Sequence, residues 1–248
     1  MRPDKGKPYY TAYGKRYRSA YEQGADHWLF PPEIEEIQKK VRKYVEHFKL
    51  VGKKVVEFGC GEGIAGLEFV KLGCIYQGYD IAPAAIEKAT ALLSEYSHAK
   101  TSLHDVVLGD FPEEAFDVGI DIACLHMLIT DADRKKYLRN IYKCLKPGAT
   151  MYFVKLHYRD DIYDGEVTSY EQWLKLTGED VDTPQKRVAS KDGGEFPVMM
   201  PNIAARPRTE RGYREELTEA GFEIMEFKKS EKWDLIWADI LVRKPYGQ

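Results

Sequence analysis

From Lys54 the chain reads KVVEFGCGEG, a stretch suited to a strand, ending in the acid Glu57 and running directly into glycines at positions 59, 61 and 63. Residues without a Cβ at alternate positions after a strand allow a tight turn and let the backbone approach a ligand. In open α/β sheets ligands sit at that place, outside the carboxyl ends of the strands. The feature therefore requires an α/β fold with a nucleotide-type site at this turn.

The flanking sequence agrees. Ile34, Ile37, Val41, Val45 and Phe48 form a helical stripe, introduced by Pro31 and Pro32 and closed by Gly52. After the glycines come helix IAGLEFVKLG, strand CIYQGYD, helix PAAIEKATALLSEY, strand LHDVVLGD, strand IDIACLHML, helix DRKKYLRNIYKCL and strand TMYFVKL. The tail adds helix TERGYREELTEAG and the apolar runs FEIMEF and WADILVRK, spaced as an antiparallel hairpin. Alternation of this kind predicts a doubly wound, seven-stranded, mostly parallel sheet of the Rossmann-like type. One domain over 1–248 is expected, with residues 159–206 as a cap insertion after the fifth strand. Trp173, Phe196, Met199 and Met200 supply that insertion with apolar surface, which favours an ordered lid over a disordered loop.

The glycines alone are ambiguous, because Gly61, Gly63 and Gly66 also satisfy the dinucleotide pattern and Asp80 follows near the distance of a ribose-binding acid. Charge separates the options. A dinucleotide places a pyrophosphate over the turn, where Glu57 and Glu62 would oppose it. S-adenosylmethionine brings ribose, adenine, a sulfonium and an ammonium, for which acids are favourable.

Here the chain resembles the class I S-adenosylmethionine-dependent methyltransferases, over roughly residues 34 to 158 and 207 to 243. The resemblance rests on EFGCGEG, with Glu57, Gly59, Gly61 and Gly63, on Asp80 in GYDIAP, on Asp110 in LGDFP, and on the LKPGA turn, where Ala149 replaces a more usual glycine. It implies that Asp80 binds the ribose hydroxyls, that Ile81 lies beside the adenine and that Asp110 meets the adenine amino group. Phe111, Leu125 and Cys60 complete the expected cofactor contacts, Cys60 as a small residue that fits rather than as a nucleophile. Plainer readings stand beside these. The glycines could simply make a turn, Asp80 could cap the helix that Pro83 opens, and Asp110 could be a turn aspartate before Pro112.

Methyl transfer is an in-line displacement, so the site chiefly positions the acceptor and excludes water. A general base helps when the acceptor is a hydroxyl or a protonated amine. His126, after the fourth strand, and His157, after the fifth, are the candidates; alternatively His126 packs under the cofactor and His157 is a solvated loop residue. At the N-terminus, Tyr10, Tyr13, Tyr17 and Tyr21 fall on one helical face with Trp28 beyond, interleaved with Lys5, Lys7, Lys15, Arg16 and Arg18. Residues 1–30 are expected to form a lid, as the resemblance to small-molecule methyltransferases with an N-terminal aromatic helix implies, with Tyr17, Tyr21 and Trp28 at the cofactor. A core helix and an RNA-binding arm are the competing readings.

From Asp160 to Ala205 ten acids face four bases, which suits a neutral or cationic acceptor, although Arg206, Arg208 and Arg211 follow at once and could hold a carboxylate. The expected function is transfer of a methyl group to an O, N or S atom of a small molecule. The alternatives are an RNA or protein methyltransferase, a catalytically silent cofactor-binding module and, from another class, an NAD-dependent oxidoreductase. The net charge of −3 gives no general pull toward nucleic acid or membrane. Cys60, Cys74, Cys124 and Cys144 form no CxxC pair, so neither a metal site nor a disulfide framework is expected. With no long uncharged run and no apolar stretch after the basic start, the protein is expected to be cytoplasmic; the sequence leaves its oligomeric state open.

Overall fold

Seven strands form the main sheet, in the order β3-β2-β1-β4-β5-β9-β8, in a computed structural model that describes residues 6–232 and 235–247. Lys5 and the rest of the first five residues of the expected lid lie outside the described residues. The strands are β1 (Lys54–Phe58), β2 (Ile75–Asp80), β3 (Ala99–Leu103), β4 (Phe116–Ile122), β5 (Leu145–Tyr158), β8 (Glu223–Lys232) and β9 (Leu235–Arg243); β6 (Gln185–Lys191) and β7 (Gly194–Met200) make a separate hairpin. The pairs β2–β3, β1–β4 and β4–β5 are parallel, while β9 runs antiparallel to both β5 and β8. The near-continuous burial of β1 is that of a central parallel strand.

The helices are α1 (Tyr13–Glu22), α2 (Pro31–Phe48), α3 (Ile64–Lys71), α4 (Pro83–Leu92), α5 (Asp131–Cys144), α6 (Tyr170–Thr177) and α7 (Glu210–Glu219). Pro31 and Pro83 start α2 and α4, where a missing N–H is tolerated, and the hydroxyls of Thr130, Ser169 and Thr209 cap α5, α6 and α7.

Two compact units are distinguished. The first comprises the chain up to Gly52, Cys60–Leu103 and Glu179–Ile203, with α1, α2, α3, β2, α4, β3 and the β6–β7 hairpin. In it, α1 rests on the start of α4 through Tyr17, Ala82 and Ala85, and on the hairpin through Ala20, Ala189, Val198 and Met200. The hairpin is also stitched to the N-terminal segment by hydrogen bonds. Gln23 exchanges two bonds with the Met199 backbone (2.7 and 2.8 Å), and the backbones of Asp26 and His27 pair with Ser190.

The second unit comprises Lys53–Gly59, His104–Gly178 and the chain from Ala204 onward, and contains β1, β4, β5, β8, β9, α5, α6 and α7. Trp173 of α6 is wholly buried there and its indole N–H donates to the Ala205 carbonyl at 3.2 Å. The expected insertion is thus ordered, but as two separate pieces: α6 in the second unit and the hairpin in the first.

Two elements differ from expectation. The strand expected over IDIACLHML ends at Ile122, and Leu125–Met127 form a 3-10 turn. The stretch LHDVVLGD is not a strand: β3 ends at Leu103, and residues 104–109 form a turn. The Asp105 carboxylate accepts the N–H groups of Val107 and Leu108, and its carbonyl accepts that of Gly109. A short acidic side chain that captures nearby backbone donors competes with a sheet ladder, and here it wins although Val106 and Val107 are buried. Among the described residues no helix is long and apolar enough to cross a membrane, and no cluster of His, Cys, Asp and Glu could hold a metal ion.

Candidate cofactor and acceptor site

Two groups of residues carry the candidate chemistry, one in each unit. In the first unit the Asp80 carboxylate, at the end of β2, is buried, with one oxygen accepting the Gly61 N–H and the other the Ala82 N–H, each at 2.8 Å. The second bond closes a turn just before α4, whose N-cap residue is Ala82 and which has no side-chain cap; the first ties the acid to the glycine turn. Desolvation raises its pKa above the usual carboxylate range, opposed by the backbone N–H bonds that favour the charged form. Cys60 is buried and its N–H reaches the Tyr79 carbonyl, Gly63 stands at the start of α3, and Ile81 is half-buried.

Gly61 has φ +52°, and a Cβ there would lie 2.7 Å from the Tyr17 hydroxyl oxygen. Tyr17 is itself buried, and desolvation followed by the nearby Asp80 and Glu62 holds its hydroxyl protonated far above the ordinary range. Its ring lies 5.4 Å from that of Trp28 and 6.4 Å from that of Tyr21. The aromatic face of the N-terminal helix therefore meets the glycine turn, as the lid and core readings require. Tyr10 and Tyr17 are buried while Tyr13 and Tyr21 are half-buried, an arrangement that leaves no row of exposed rings for stacking bases.

Glu62 has a role that sequence reasoning missed. It is buried, and its carboxylate accepts the Tyr21 hydroxyl at 2.6 Å and the Trp28 backbone N–H at 2.8 Å, with His27 Nδ1 at 3.2 Å. Its charge is directed to the N-terminal segment. The signal was present as an acid inside a glycine turn, but its partners lie more than thirty residues away in sequence.

In the second unit Glu57 is buried at the end of β1. Gly59 has φ +73°, and a Cβ on it would meet Cys124 Sγ at 2.6 Å. Cys124 belongs to a turn organised by Asp121, a residue the sequence did not single out. The wholly buried Asp121 carboxylate accepts the N–H groups of Cys124 (2.7 Å) and Leu125 (2.9 Å) and the Tyr137 hydroxyl (2.7 Å), and burial pushes its pKa up to about 6. Arg134 supports the same turn by donating to the carbonyls of Leu125 and Leu128 while it pairs with Glu216. Asp110 is exposed, and its backbone carbonyl lies 3.1 Å from His104 Nε2. Phe111 is buried against Phe58 and His104.

The structure brings the two candidate bases together. His126 and His157 stack with ring centres 4.3 Å apart and 6° between planes, and the His157 N–H is directed at His126 Nδ1 at 3.4 Å. His126 is buried and its carbonyl accepts the Arg206 N–H; His157 is half-buried, 4.5 Å from the Trp237 ring, and its carbonyl accepts the Tyr213 hydroxyl.

Three of the ten acids of the insertion are engaged by neighbouring side chains. Asp164 bonds Thr209 and pairs with Arg208, Asp161 pairs with Arg159, and Asp160 bonds Tyr158. Arg206 is held by the Ile129 and Gly165 carbonyls and by Asp131, and its burial lowers its pKa to about 10.

The sheet order and the glycine turn at the end of its central strand define the class I methyltransferase fold. Comparison with known proteins agrees. Residues 56–151 match the family model described as a methyltransferase domain. Curated relatives include ubiquinone biosynthesis O-methyltransferases from Pseudomonas fluorescens strain SBW25, 29% identical, and Pseudomonas putida strain W619, 30% identical; each match covers 53% of this chain and 56% of the relative. The chain thus spans a little over half the length of the curated relatives it matches.

Solved structures with the same fold include the Burkholderia thailandensis 1,6-didemethyltoxoflavin-N1-methyltransferase with S-adenosylhomocysteine (TM-score 0.63, 18% identity, 99% of this chain and 93% of that one). A methyltransferase from Methanosarcina mazei is also similar (TM-score 0.60, 20% identity, 79% and 94%), as is the (4+2)-cyclase SpnF (TM-score 0.62, 17% identity, 85% and 82%). The methyltransferase domain at residues 56–151, the methyltransferase relatives and the shared fold together support a class I S-adenosylmethionine-dependent methyltransferase.

Proposed function

We infer that the protein binds S-adenosylmethionine and transfers its methyl group to an O, N or S atom of a small molecule. The observation that carries this reading is the Asp80–Gly61 link: a buried carboxylate fixed at the glycine turn by backbone N–H groups, with acceptor capacity left for a ribose hydroxyl. At Gly59 and Gly61 the room a Cβ would take is filled by Cys124 and Tyr17, so both glycines are needed for the turn to pack against its neighbours. Asp80, Gly61 and Ile81 would hold the nucleoside, with Glu57, Gly59, Gly63, Asp110, Phe111, Leu125 and Cys60 as the remaining contacts that the family pattern assigns. When bound, the cofactor supplies an electrophilic methyl group on a sulfonium.

The chain's own part is to position and to exclude water. Tyr17, Tyr21 and Trp28, anchored by Glu62, close over the turn, and residues up to 30 together with the hairpin act as one lid. His157 is the better placed proton acceptor, being half-buried, while the buried His126 aligns it through the ring stack. The acceptor is a small molecule rather than RNA, because the tyrosines that could stack bases are turned inward. The name of the toxoflavin-type enzyme and those of the ubiquinone enzymes favour a small aromatic acceptor.

A second reading has a specific motive: a (4+2)-cyclase shares this fold, so the fold can host chemistry other than methyl transfer. Calorimetry with S-adenosylhomocysteine and NAD tests the cofactor, and mass spectrometry of ligand co-purifying with the protein tests it independently. Micromolar binding of S-adenosylhomocysteine and none of NAD is expected; comparable affinities would overturn the reading. Incubation of candidate acceptors with methyl-labelled cofactor separates an enzyme that transfers the label from one that only binds.

A further inference from the structure

Arg16 stands one helical turn before Ala20 on α1, and Arg187 stands two residues before Ala189 on β6, directly opposite Val198 of β7. Ala20, Ala189 and Val198 belong to one buried cluster. Residues four apart on a helix share a face, and so do residues two apart on a strand or directly opposed across an antiparallel pair. The packing that joins Ala20 to the hairpin therefore places Arg16 and Arg187 next to each other at the cluster's edge. Arg187 lies on the exposed rim of the hairpin, where one guanidinium N–H donates to Gln185 Oε1 at 3.0 Å; its pKa is lowered, first by partial desolvation and then by Arg16, with Tyr13 and Glu33 acting in the opposite sense.

Arg16 supplies a second, independent observation. Its guanidinium carbon lies 5.5 Å from the Trp28 ring centre and 6.0 Å from that of Tyr13, and its Nε is buried without a hydrogen-bond partner. A buried donor facing a second cation, with rings on two sides, is built to receive an acceptor oxygen from outside the chain. The position is close to the proposed chemistry. The Trp28 ring also touches Tyr17, whose hydroxyl lies over Gly61, and the Trp28 N–H is held by Glu62.

We propose that Arg16 and Arg187 form an anion fork that binds the carboxylate of a planar, ring-bearing methyl acceptor, with Trp28 and Tyr13 against its ring. Two neighbouring guanidiniums concentrate positive charge and planar donors, which suits a carboxylate. The net acidity of the insertion pointed the other way, toward a neutral or cationic acceptor. A summed composition does not record that Arg187 shares the α1-facing side of the hairpin with Ala189 and Val198. The word "acceptor" rests on the methyltransferase reading; the anion site does not.

The test is calorimetry and thermal denaturation of the full chain with benzoate and with its neutral isostere benzamide. Benzoate should bind at least about tenfold tighter, since a charge-assisted, two-point contact is lost in the amide. That preference should fall to less than about threefold in Arg187→Gln and in Arg16→Gln, while Arg16→Lys should keep part of the charge effect and lose the fork. Equal binding of benzoate and benzamide by the unaltered protein, or a preference that survives in both glutamine variants, overturns the proposal. S-adenosylhomocysteine affinity is measured on the same proteins. Unchanged affinity in the arginine variants supports an acceptor site, whereas a parallel loss assigns the pair to the cofactor and overturns it. If the unaltered protein binds no S-adenosylhomocysteine but retains the benzoate preference, the cofactor reading fails and the anion site stands.

Discussion

The Tyr21 hydroxyl donates a 2.6 Å hydrogen bond to Glu62, across 41 residues of sequence, and so fastens the N-terminal helix to the glycine turn. The same carboxylate holds the Trp28 N–H, and Tyr21 keeps its proton because burial and Glu62 both raise its pKa far above the ordinary range.

Glu62→Ala should loosen this attachment. Hydrogen bonds to a buried charged group are worth about 1.5–3 kcal/mol each, but part of that is recovered as water reaches the freed donors. Limited proteolysis should then cut between Tyr13 and Trp28 faster than in the unaltered protein, and S-adenosylhomocysteine should slow the cleavage. An unchanged cutting rate in the variant would mean that the apolar contacts of Tyr17 and Ala20 hold the segment without Glu62.

Asp80→Ala removes two backbone partners together with the proposed ribose contact. Cofactor affinity should fall about ten- to a hundredfold, corresponding to charge-assisted bonds of about 1.5–3 kcal/mol. Because Asp80 also holds the Gly61 and Ala82 N–H groups, the melting temperature should drop as well. Lower stability with unaltered affinity by calorimetry would confine Asp80 to bracing the turn.

Gly61→Ala combines a left-handed backbone with a collision at the Tyr17 hydroxyl, the one atom a new Cβ would meet closer than 3.7 Å. Removing that oxygen should relieve the collision and leave the conformational cost of about 1–2 kcal/mol. Denaturant unfolding of Gly61→Ala with and without Tyr17→Phe measures this, and the second substitution should recover part of the lost stability. Additive destabilisation would show that the ring, rather than the hydroxyl, blocks the site.

Asp121 sets a pH dependence whose sign follows from its raised pKa. An acid with a folded-state pKa of about 6 against an ordinary value of 3.8 holds its proton more tightly when folded. Its contribution to stability is therefore greatest below about pH 4 and is lost as the pH rises to about 6, by about 3 kcal/mol. Asp121→Asn leaves at least the Cys124 N–H facing an amide nitrogen and should be less stable throughout. Its deficit relative to the unaltered protein should be largest near pH 4 and shrink by pH 6.5; a deficit that grows with pH would mean that the three donors hold the carboxylate ionised.

The sequence by itself determined the elements and their class. α2, β1, α3, β2, α4 and α5 stand where periodicity, Pro31, Pro83 and the glycine turn put them, because burial on one face or both and the missing proline N–H act locally. It also marked Glu57, Gly59, Gly61 and Asp80, whose spacing is fixed by a strand, a turn and a helix in immediate succession. Even locally it misread LHDVVLGD, where the Asp105 carboxylate outcompeted a valine pair. Only the tertiary structure decided that Glu62 points to Tyr21 and Trp28, that Asp121 orders the turn of Cys124 and Leu125, and that His126 stacks on His157. It alone set Arg187 beside Arg16, since the two come from segments about 170 residues apart. Partnerships of that kind depend on which faces of distant elements pack together, and no local pattern of residues encodes the pairing.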